Sequence, residues 1–188
     1  LRRLDLSWNS ITGDELTAAV FRGRSQDNQF EPIALQELNL GHNQISFLKR
    51  NVFEHTPHLS LLNLTHNQLE PLAKSSLEVL IMIKSSLRSL DLSYAGLKTI
   101  PTEFFENLEG LEYLNLAGNQ LLIPPTDLNL IGSSLLSLNL AENQFELLDS
   151  EDLLGLTALR RLNISQMSSL KIIDKNTFAP LKSLEFLY

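Results

Sequence analysis

Cysteine is absent from this 188-residue chain, which excludes an internal disulfide framework and any metal site built on thiolates. A chain without cysteine is usually a protein of a reducing compartment. That inference does not hold for an internal piece of a larger protein, because the disulfides can lie in the parts that the piece lacks.

Basic residues and long apolar runs are also scarce. The chain has 15 Lys and Arg against 22 Asp and Glu, a net charge of −7, whereas a nucleic-acid surface needs clustered basic side chains. The pairs Arg2-Arg3 and Arg160-Arg161 are far apart, so we expect no nucleic-acid partner. The apolar run 77–83 is far too short to cross a bilayer. Any membrane attachment would therefore depend on parts outside this chain.

Leucine, in contrast, recurs at a fixed spacing. The segment 35–45 reads LQELNLGHNQI. Near-copies begin at Leu1, Leu59, Leu87, Leu111, Leu135 and Leu159, and a truncated copy begins at Leu184. With the copy at Leu35, successive starts are separated by 34, 24, 28, 24, 24, 24 and 25 residues. This length and the core LxxLxLxxNxL are the signature of a leucine-rich repeat solenoid, and they predict one domain of about seven repeats over residues 1–188.

The repeat predicts an α/β solenoid shaped like a horseshoe. Segments such as 38–40 alternate apolar and polar residues, the pattern of a strand with one buried face. We expect the strands to stack into a concave parallel sheet, with the leucines at repeat positions one, four, six and eleven in a core that neighbouring repeats share. Short helices or loops should form the convex side. The residues expected to fill the space beneath them are Phe53, Phe105, Leu153 and Phe178.

Two convex segments, 12–32 and 77–83, have the apolar spacing of a helix with one buried face. The apolar residues of the first are Leu16, Ala19, Val20 and Phe21. The polar stretch 22–29 follows them, and we expect it to be a mobile loop.

Asparagine occupies the ninth position of most repeats, where the chain turns away from the strand. These residues are Asn9, Asn43, Asn67, Asn119 and Asn143. An asparagine side chain has one acceptor and two donors, so it can bind backbone groups that the turn leaves without partners. We interpret the row as a structural ladder. Ala95 and Met167 interrupt it, and we expect their turns to depend on water or on other side chains.

Both ends of the chain fall inside a repeat, whereas a solenoid needs polar capping repeats at its ends. We therefore interpret the chain as an internal fragment that lacks both caps. The leucines that this would leave exposed are Leu1, Leu4, Leu184 and Leu187. We expect residues 1–188 to aggregate or fold poorly when isolated.

The pattern LxxLxLxxNxLxxLxxxxFxxLxx, which residues 87–110 follow apart from Ala95, resembles the animal extracellular class of leucine-rich repeats. That class includes the Toll-like receptors, the insect adhesion molecules chaoptin and connectin, and the mosquito leucine-rich immune proteins. Residues 163–181, with one extra residue before the pattern LxxIxxxxFxxL, resemble the same class. The resemblance implies an extracellular or cell-surface protein that recognises other proteins, with its disulfides mainly in caps that this chain lacks.

The eighth positions of the repeats form a column on the concave side. The column reads Trp8, His42, His66, Tyr94, Gly118 and Glu142. Strands about 4.8 Å apart would place Trp8 and Tyr94 roughly 14 Å apart. Exposed aromatic residues on a concave face are typical of protein-binding hot spots, and Tyr113 and Leu61 add apolar area from the third position. The alternative is that the rings only cover strand edges or stack on one another.

His42 and His66 fall on neighbouring repeats and can approach closely. Such a pair is either a pH sensor or half of a metal site, but zinc requires three or four ligands and no third one joins the pair. We expect solvated surface histidines, no metal and no cofactor.

The fifth positions form a polar row facing outward from the sheet. It comprises Asp5, Asn39, Asn63, Asp91, Asn115, Asn139 and Asn163, which can hydrogen-bond laterally or contact a ligand.

Asn63-Leu-Thr65 and Asn163-Ile-Ser165 match the N-glycosylation acceptor pattern, of which about two are expected by chance in this composition. Glycans at both sites would cover part of the concave face and would move ligand contact to the lateral edge or the convex side.

A catalytic function has little support, because Asp5 and Asp91 are three repeats apart, too far for paired carboxylate chemistry. The sequence also has no Gly-rich phosphate loop.

We predict a non-enzymatic recognition segment of a cell-surface receptor or adhesion protein, which binds a protein ligand or co-receptor on the concave face, with dimerisation left open. The alternatives are a secreted innate-immune ligand-binding protein and a cytosolic scaffold or regulatory subunit.

Overall fold

The computed structural model describes residues 1–26, 29–71 and 79–188. Within these ranges the chain winds as a solenoid of short strands joined by turns. The strands are β1 (Arg3–Asp5), β2 (Ser25–Gln26), β3 (Gln29–Phe30), β4 (Glu37–Asn39), β5 (Leu61–Asn63), β6 (Ser89–Asp91), β7 (Tyr113–Asn115), β8 (Ser137–Asn139), β9 (Leu147–Leu148), β10 (Arg161–Asn163), β11 (Ile172–Ile173) and β12 (Phe186–Leu187). The 3₁₀ helices are Ala18–Phe21, Thr102–Phe104 and Leu128–Ile131, and residues 79–81 are helical.

A parallel sheet runs through the described part of the chain in the order β1-β4-β5-β6-β7-β8-β10-β12. Equivalent repeat positions pair in register, so that Leu38 lies beside Leu4 on one side and Leu62 on the other. Side chains alternate across a strand, which places the position-four leucines on one face and the third- and fifth-position residues on the other. The predicted leucine-rich repeat solenoid with a parallel sheet is confirmed.

The leucines of successive repeats form one core. Leu35, Leu38 and Leu40 are completely buried in the second repeat, and the buried cluster continues from Leu16 to Leu181. Full burial of a leucine stabilises a fold by about 1.5–3 kcal/mol relative to exposure. Because each repeat covers its neighbour's leucines, this stabilisation depends on stacking.

The convex side contains less helix in residues 12–32 than the sequence predicts. A single turn of 3₁₀ helix spans Ala18–Phe21. The predicted apolar group divides into buried Leu16 and Phe21 and exposed Ala19 and Val20. A four-residue turn is too short to present a continuous apolar face. β2 and β3 then pair antiparallel. They overlap the stretch 22–29 that was interpreted as a mobile loop, and residues 27–28 of that stretch lie outside the described ranges.

The second long convex segment starts outside the described residues, because its predicted helix begins at Leu77 and the description resumes at residue 79. The described part has one buried side: Val79, Leu80 and Ile83 are buried, and Ile81 and Met82 are exposed. Elsewhere on the convex side, burial is complete for Phe53, Phe105 and Leu153 and partial for Phe178. A short parallel pair, β9 with β11, also forms there.

The ninth-position asparagines join successive repeats. The Asn67 amide donates hydrogen bonds to the Leu40 and Leu64 carbonyls, both at 3.0 Å. Its Oδ1 accepts a hydrogen bond from the Ile45 N–H at 2.9 Å. Equivalent bonds are made by Asn43, Asn119 and Asn143. Asn9 is exposed and donates to carbonyls of its own repeat.

At Ala95 the backbone replaces part of the missing asparagine side chain. The Leu69 N–H, whose equivalent at Ile45 binds an asparagine side chain, donates to the Ala95 carbonyl at 3.1 Å. The Ala95 N–H donates to Oδ1 of Asn119 in the next repeat. This turn therefore uses a backbone carbonyl as well as the neighbouring side chain that the sequence led us to expect. At the other interruption, Met167 is buried against the core.

Candidate binding surface

The eighth residue of each repeat has a left-handed backbone conformation. The φ angles are 58° at Trp8, 54° at His42, 51° at His66, 52° at Tyr94, 66° at Gly118, 56° at Glu142 and 58° at Gln166. Non-glycine residues adopt this region rarely, at a cost on the order of 1–3 kcal/mol each. The turn after each strand therefore imposes one geometry on the column, which the leucine pattern did not reveal. The presence of Gly118 in the column was the available signal.

Four rings of the column stack face to face, and we call Trp8, His42, His66 and Tyr94 the ring stack. Its successive ring centroids are 3.7, 4.1 and 4.5 Å apart, with interplanar angles of 9°, 16° and 6°. These separations are shorter than the strand spacing of about 4.8 Å, so the side chains lean together. The rings still present surface to solvent, since Trp8 is 76% and Tyr94 38% exposed.

The Tyr94 end of the ring stack is fixed across the next repeat. A Cβ at Gly118 would lie 2.2 Å from the Tyr94 ring, so the ring occupies the space that glycine leaves empty. Beyond it, the Tyr94 hydroxyl donates a 2.7 Å hydrogen bond to Oε1 of Glu142. This bond raises the pKa of Tyr94 above its ordinary value. Tyr94 thus spans two repeats.

The two histidines lie at the centre of the ring stack. The pKa of His42 is lowered, first because its neighbours remove water from its ring and second because of the charge of His66. Within the described ranges, no three His, Asp or Glu side chains come together in a group that could hold a metal ion.

Tyr113 lies apart from the ring stack. It is on β7, beside Ser89 on β6 and Ser137 on β8, and it is 43% exposed. It makes no ring contact with another described residue. Tyr113 and the ring stack, which the sequence analysis placed on one binding surface, therefore lie in separate parts of it: Tyr113 is on the sheet and the ring stack is in the turns.

Two open grooves lie near the ring stack. The first, of about 390 Å³, is on the sheet and is lined by Arg3, Leu4, Asp5, Glu37, Asn39, Leu61 and Asn63. The second, of about 520 Å³, is in the turns beside His66 and Tyr94. Gln68 and Gln120 line this second groove, and between them the tenth position is Gly96, which has no side chain to fill it. The sequence interpretation missed this groove, although a glycine within a row of glutamines indicates a gap.

The fifth-position row mainly supports its own turns. Oδ1 of Asn63 accepts a hydrogen bond from the Thr65 N–H at 2.8 Å, and Oδ1 of Asn163 accepts one from the Ser165 N–H at 3.0 Å. The same two-residue bond recurs at Asp5, Asn39, Asp91, Asn115 and Asn139. A lateral bond of the kind expected joins Asn115 to Asp91 at 3.1 Å. Both glycosylation-pattern asparagines are half-buried on the concave sheet.

Known sequences share this repeat. The sequence model described as leucine rich repeat matches residues 26–69 and 85–123, and a second leucine rich repeat model matches residues 1–14. Fibromodulin from Oryctolagus cuniculus is 32% identical over 132 residues, which cover 61% of this chain and 90% of that sequence. The chain belongs to the leucine-rich repeat family.

Other members extend this leucine-rich repeat comparison. Keratocan from Gallus gallus is 28% identical over 179 residues, covering 77% of this chain and 50% of keratocan. Chaoptin from Tribolium castaneum is 30% identical over 211 residues, covering 100% of this chain and 25% of chaoptin. The chain therefore spans half or less of these two relatives. They are extracellular or cell-surface proteins, as the resemblance of the repeat implied.

A solved structure has the same fold. Internalin C2 from Listeria monocytogenes superposes with a TM-score of 0.68 at 21% identity, over 99% of this chain and 73% of that one. At this identity the likeness shows the fold alone. None of the helices in the described ranges is long and apolar enough to cross a membrane.

Proposed function

We propose that this chain is a protein-recognition segment of a cell-surface receptor or adhesion protein, and that a protein partner docks on its concave side with the ring stack as the anchor. The observation that carries the proposal is the ring stack itself. Aromatic side chains provide large contact area with few rotatable bonds. Here the left-handed turns and the Tyr94–Glu142 hydrogen bond hold them in place before binding, which reduces the entropy lost on association.

The polar surroundings of the ring stack fit a specific rather than a purely electrostatic contact. Several charged side chains on the concave side form opposite pairs on neighbouring strands or at their starts: Arg3 with Glu37 at 3.0 Å, Arg88 with Glu112 at 3.8 Å and Arg160 with Glu185 at 3.3 Å. Each of these pairs offsets its own charges, and this favours a partner that is selected by shape and hydrogen bonding around the aromatic anchor. We further propose that binding occurs by rigid docking and without catalysis.

The extracellular relatives favour this function over a cytosolic scaffold. A secreted ligand-binding protein would use the same surface, because a secreted protein and a cell-surface receptor differ in how the whole protein is anchored.

The test is a binding screen followed by matched substitutions. The chain, fused at both ends to polar capping repeats, is immobilised on a biosensor and screened against a panel of purified extracellular domains. We expect Trp8→Asn and Tyr94→Asn each to weaken the affinity for the domain found in the screen by at least about 30-fold. This is the effect of a hot spot worth about 2 kcal/mol. Asparagine is used because it tolerates the left-handed backbone.

Gln166→Asn is the control, since Gln166 has the same position in its repeat and a φ of 58° but lies outside the ring stack. It should leave affinity unchanged. A partner that tolerates both ring substitutions, or that Gln166→Asn weakens equally, would show that the ring stack is not the anchor.

A further inference from the structure

The ring stack has two histidines at its centre, and their charge state decides how the four rings fit together. With both imidazoles neutral, the rings stack without charge. A proton on His42 places a cation 3.7 Å from the Trp8 ring, and a proton on His66 places one 4.5 Å from the Tyr94 ring. Both distances lie within the range of about 6 Å over which a cation is attracted to an aromatic face. One proton is therefore compatible with the closed stack.

A second proton opposes the stack. It creates two cations whose ring centroids are 4.1 Å apart at an interplanar angle of 16°. The rings face each other, so no side chain separates the charges. Repulsion between them can be relieved by moving one ring out of the column, because the rings are joined by contact alone.

The charged groups of the neighbouring repeats lie at the edges of the ring stack. Glu142 accepts its hydrogen bond from Tyr94. Glu70 and Lys98, which have opposite charges, line the groove beside His66. Asp5, at the end of β1, accepts hydrogen bonds from the N–H and hydroxyl of Ser7. Glu142 and Asp5 make these hydrogen bonds outside the histidine pair, Glu70 and Lys98 offset each other, and the 4.1 Å between the two imidazole rings leaves no room for a carboxylate between them.

We propose that the ring stack is a proton-operated switch, closed when neither or one of His42 and His66 is charged and open when both are, so that the recognition surface is lost in acid. This inference rests on the function proposed above and specifies how that same surface is regulated.

The protonation equilibrium of His42 agrees with this direction. Its pKa in the folded chain is below the ordinary value of 6.5, so the unfolded chain binds the proton more readily. Stability that depends on the neutral ring is then complete above about pH 6.5 and is lost as pH falls through the lower folded pKa. Acid is thus the condition that opens the stack.

Trp8 is the only tryptophan of this chain, so its fluorescence reports its contact with His42. Emission is titrated from pH 8 to pH 4 on the chain fused at both ends to polar capping repeats that contain no tryptophan, with far-ultraviolet circular dichroism at each pH. A charged imidazole quenches a neighbouring indole, so we expect two steps, the first from one proton on the pair and the second from opening. Coupled groups should separate these steps by about one pH unit or more.

Variants assign the steps. His66→Asn should leave a single step, because His42 then has no charged neighbour, and its midpoint should rise. His42→Asn should remove the quenching step next to Trp8. His58→Asn should reproduce the unsubstituted chain, because His58 is exposed and makes no ring contact with a described residue.

A single step in the unsubstituted chain, or two steps that survive His66→Asn, would overturn the switch. A second step that coincides with loss of the circular dichroism signal would also overturn it, because the chain would then unfold rather than open locally. Fluorescence requires no partner, so this result is independent of the proposed function. A partner that depends on Trp8 but binds equally at pH 7 and pH 5 would refute the switch and leave the function intact.

Discussion

At the eighth position of the repeat, backbone geometry and surface chemistry are determined together. The positive φ of this turn costs residues with a Cβ enough energy to favour glycine. Nevertheless, tryptophan, histidine and tyrosine occupy the position in the first four repeats. The conformations of these residues are maintained by the core leucines on either side and by contact between the rings. Gly118 is where the column changes, because its missing side chain admits the Tyr94 ring.

Gly118→Ala should therefore destabilise the chain more than Gly96→Ala. Both glycines have positive φ, 66° and 75°, so both substitutions incur backbone strain of about 1–2 kcal/mol. A Cβ at Gly96 meets nothing closer than 4.0 Å, whereas one at Gly118 collides with the Tyr94 ring. Displacing that ring removes its stacking and its bond to Glu142, which should add about 1–2 kcal/mol. Urea unfolding measures the difference, and equal losses would mean that Tyr94 is not held over Gly118.

The strand-and-turn unit is the scale at which sequence was most informative. Leucine spacing predicted the parallel sheet and its shared core, because burial of Leu38 and its equivalents requires one face and one register. The convex elements were less predictable. Residues 12–32 have apolar residues at helical spacing, but Ala18–Phe21 forms one 3₁₀ turn, since that part of the repeat needs only to cover the core. The ring stack depends on φ angles and on contacts between repeats, and the sequence of a single repeat predicts neither of them.

The asparagine of the turn offers a prediction at this scale. Asn67→Ala removes the partners of the Ile45 N–H and the Leu64 carbonyl, and each buried group left unpaired costs about 1–3 kcal/mol. We expect a loss of about 2–5 kcal/mol in the free energy of unfolding, measured with urea. Asn9→Ala is the matched control, because Asn9 is exposed, and it should cost less than about 1 kcal/mol. Similar losses in the two variants would show that the ladder does not join repeats.

The whole molecule is a line of repeats in which each strand pairs with its neighbours. Leu90 on β6 lies beside Leu62 on β5 and Leu114 on β7, and contacts between strands of the large sheet follow the same nearest-neighbour order. Stability in such a line is close to a sum of repeat terms and interface terms. A defect in one repeat should therefore spread through its interfaces and weaken with distance. The ring stack adds a second line of contacts, parallel to the sheet, across the first four repeats.

Leu90→Ala should reveal this order in hydrogen exchange. The substitution removes a side chain that is 1% exposed and should cost about 2–5 kcal/mol. Amides of β5, β6 and β7 should lose most protection, because their interfaces contain the cavity, while those of β10, three strands away, should lose less. Leu138→Ala on β8 is the control, and its losses should centre on β7 and β10 instead. If both variants lower protection uniformly from β1 to β12, the repeats unfold as one unit rather than in this nearest-neighbour order.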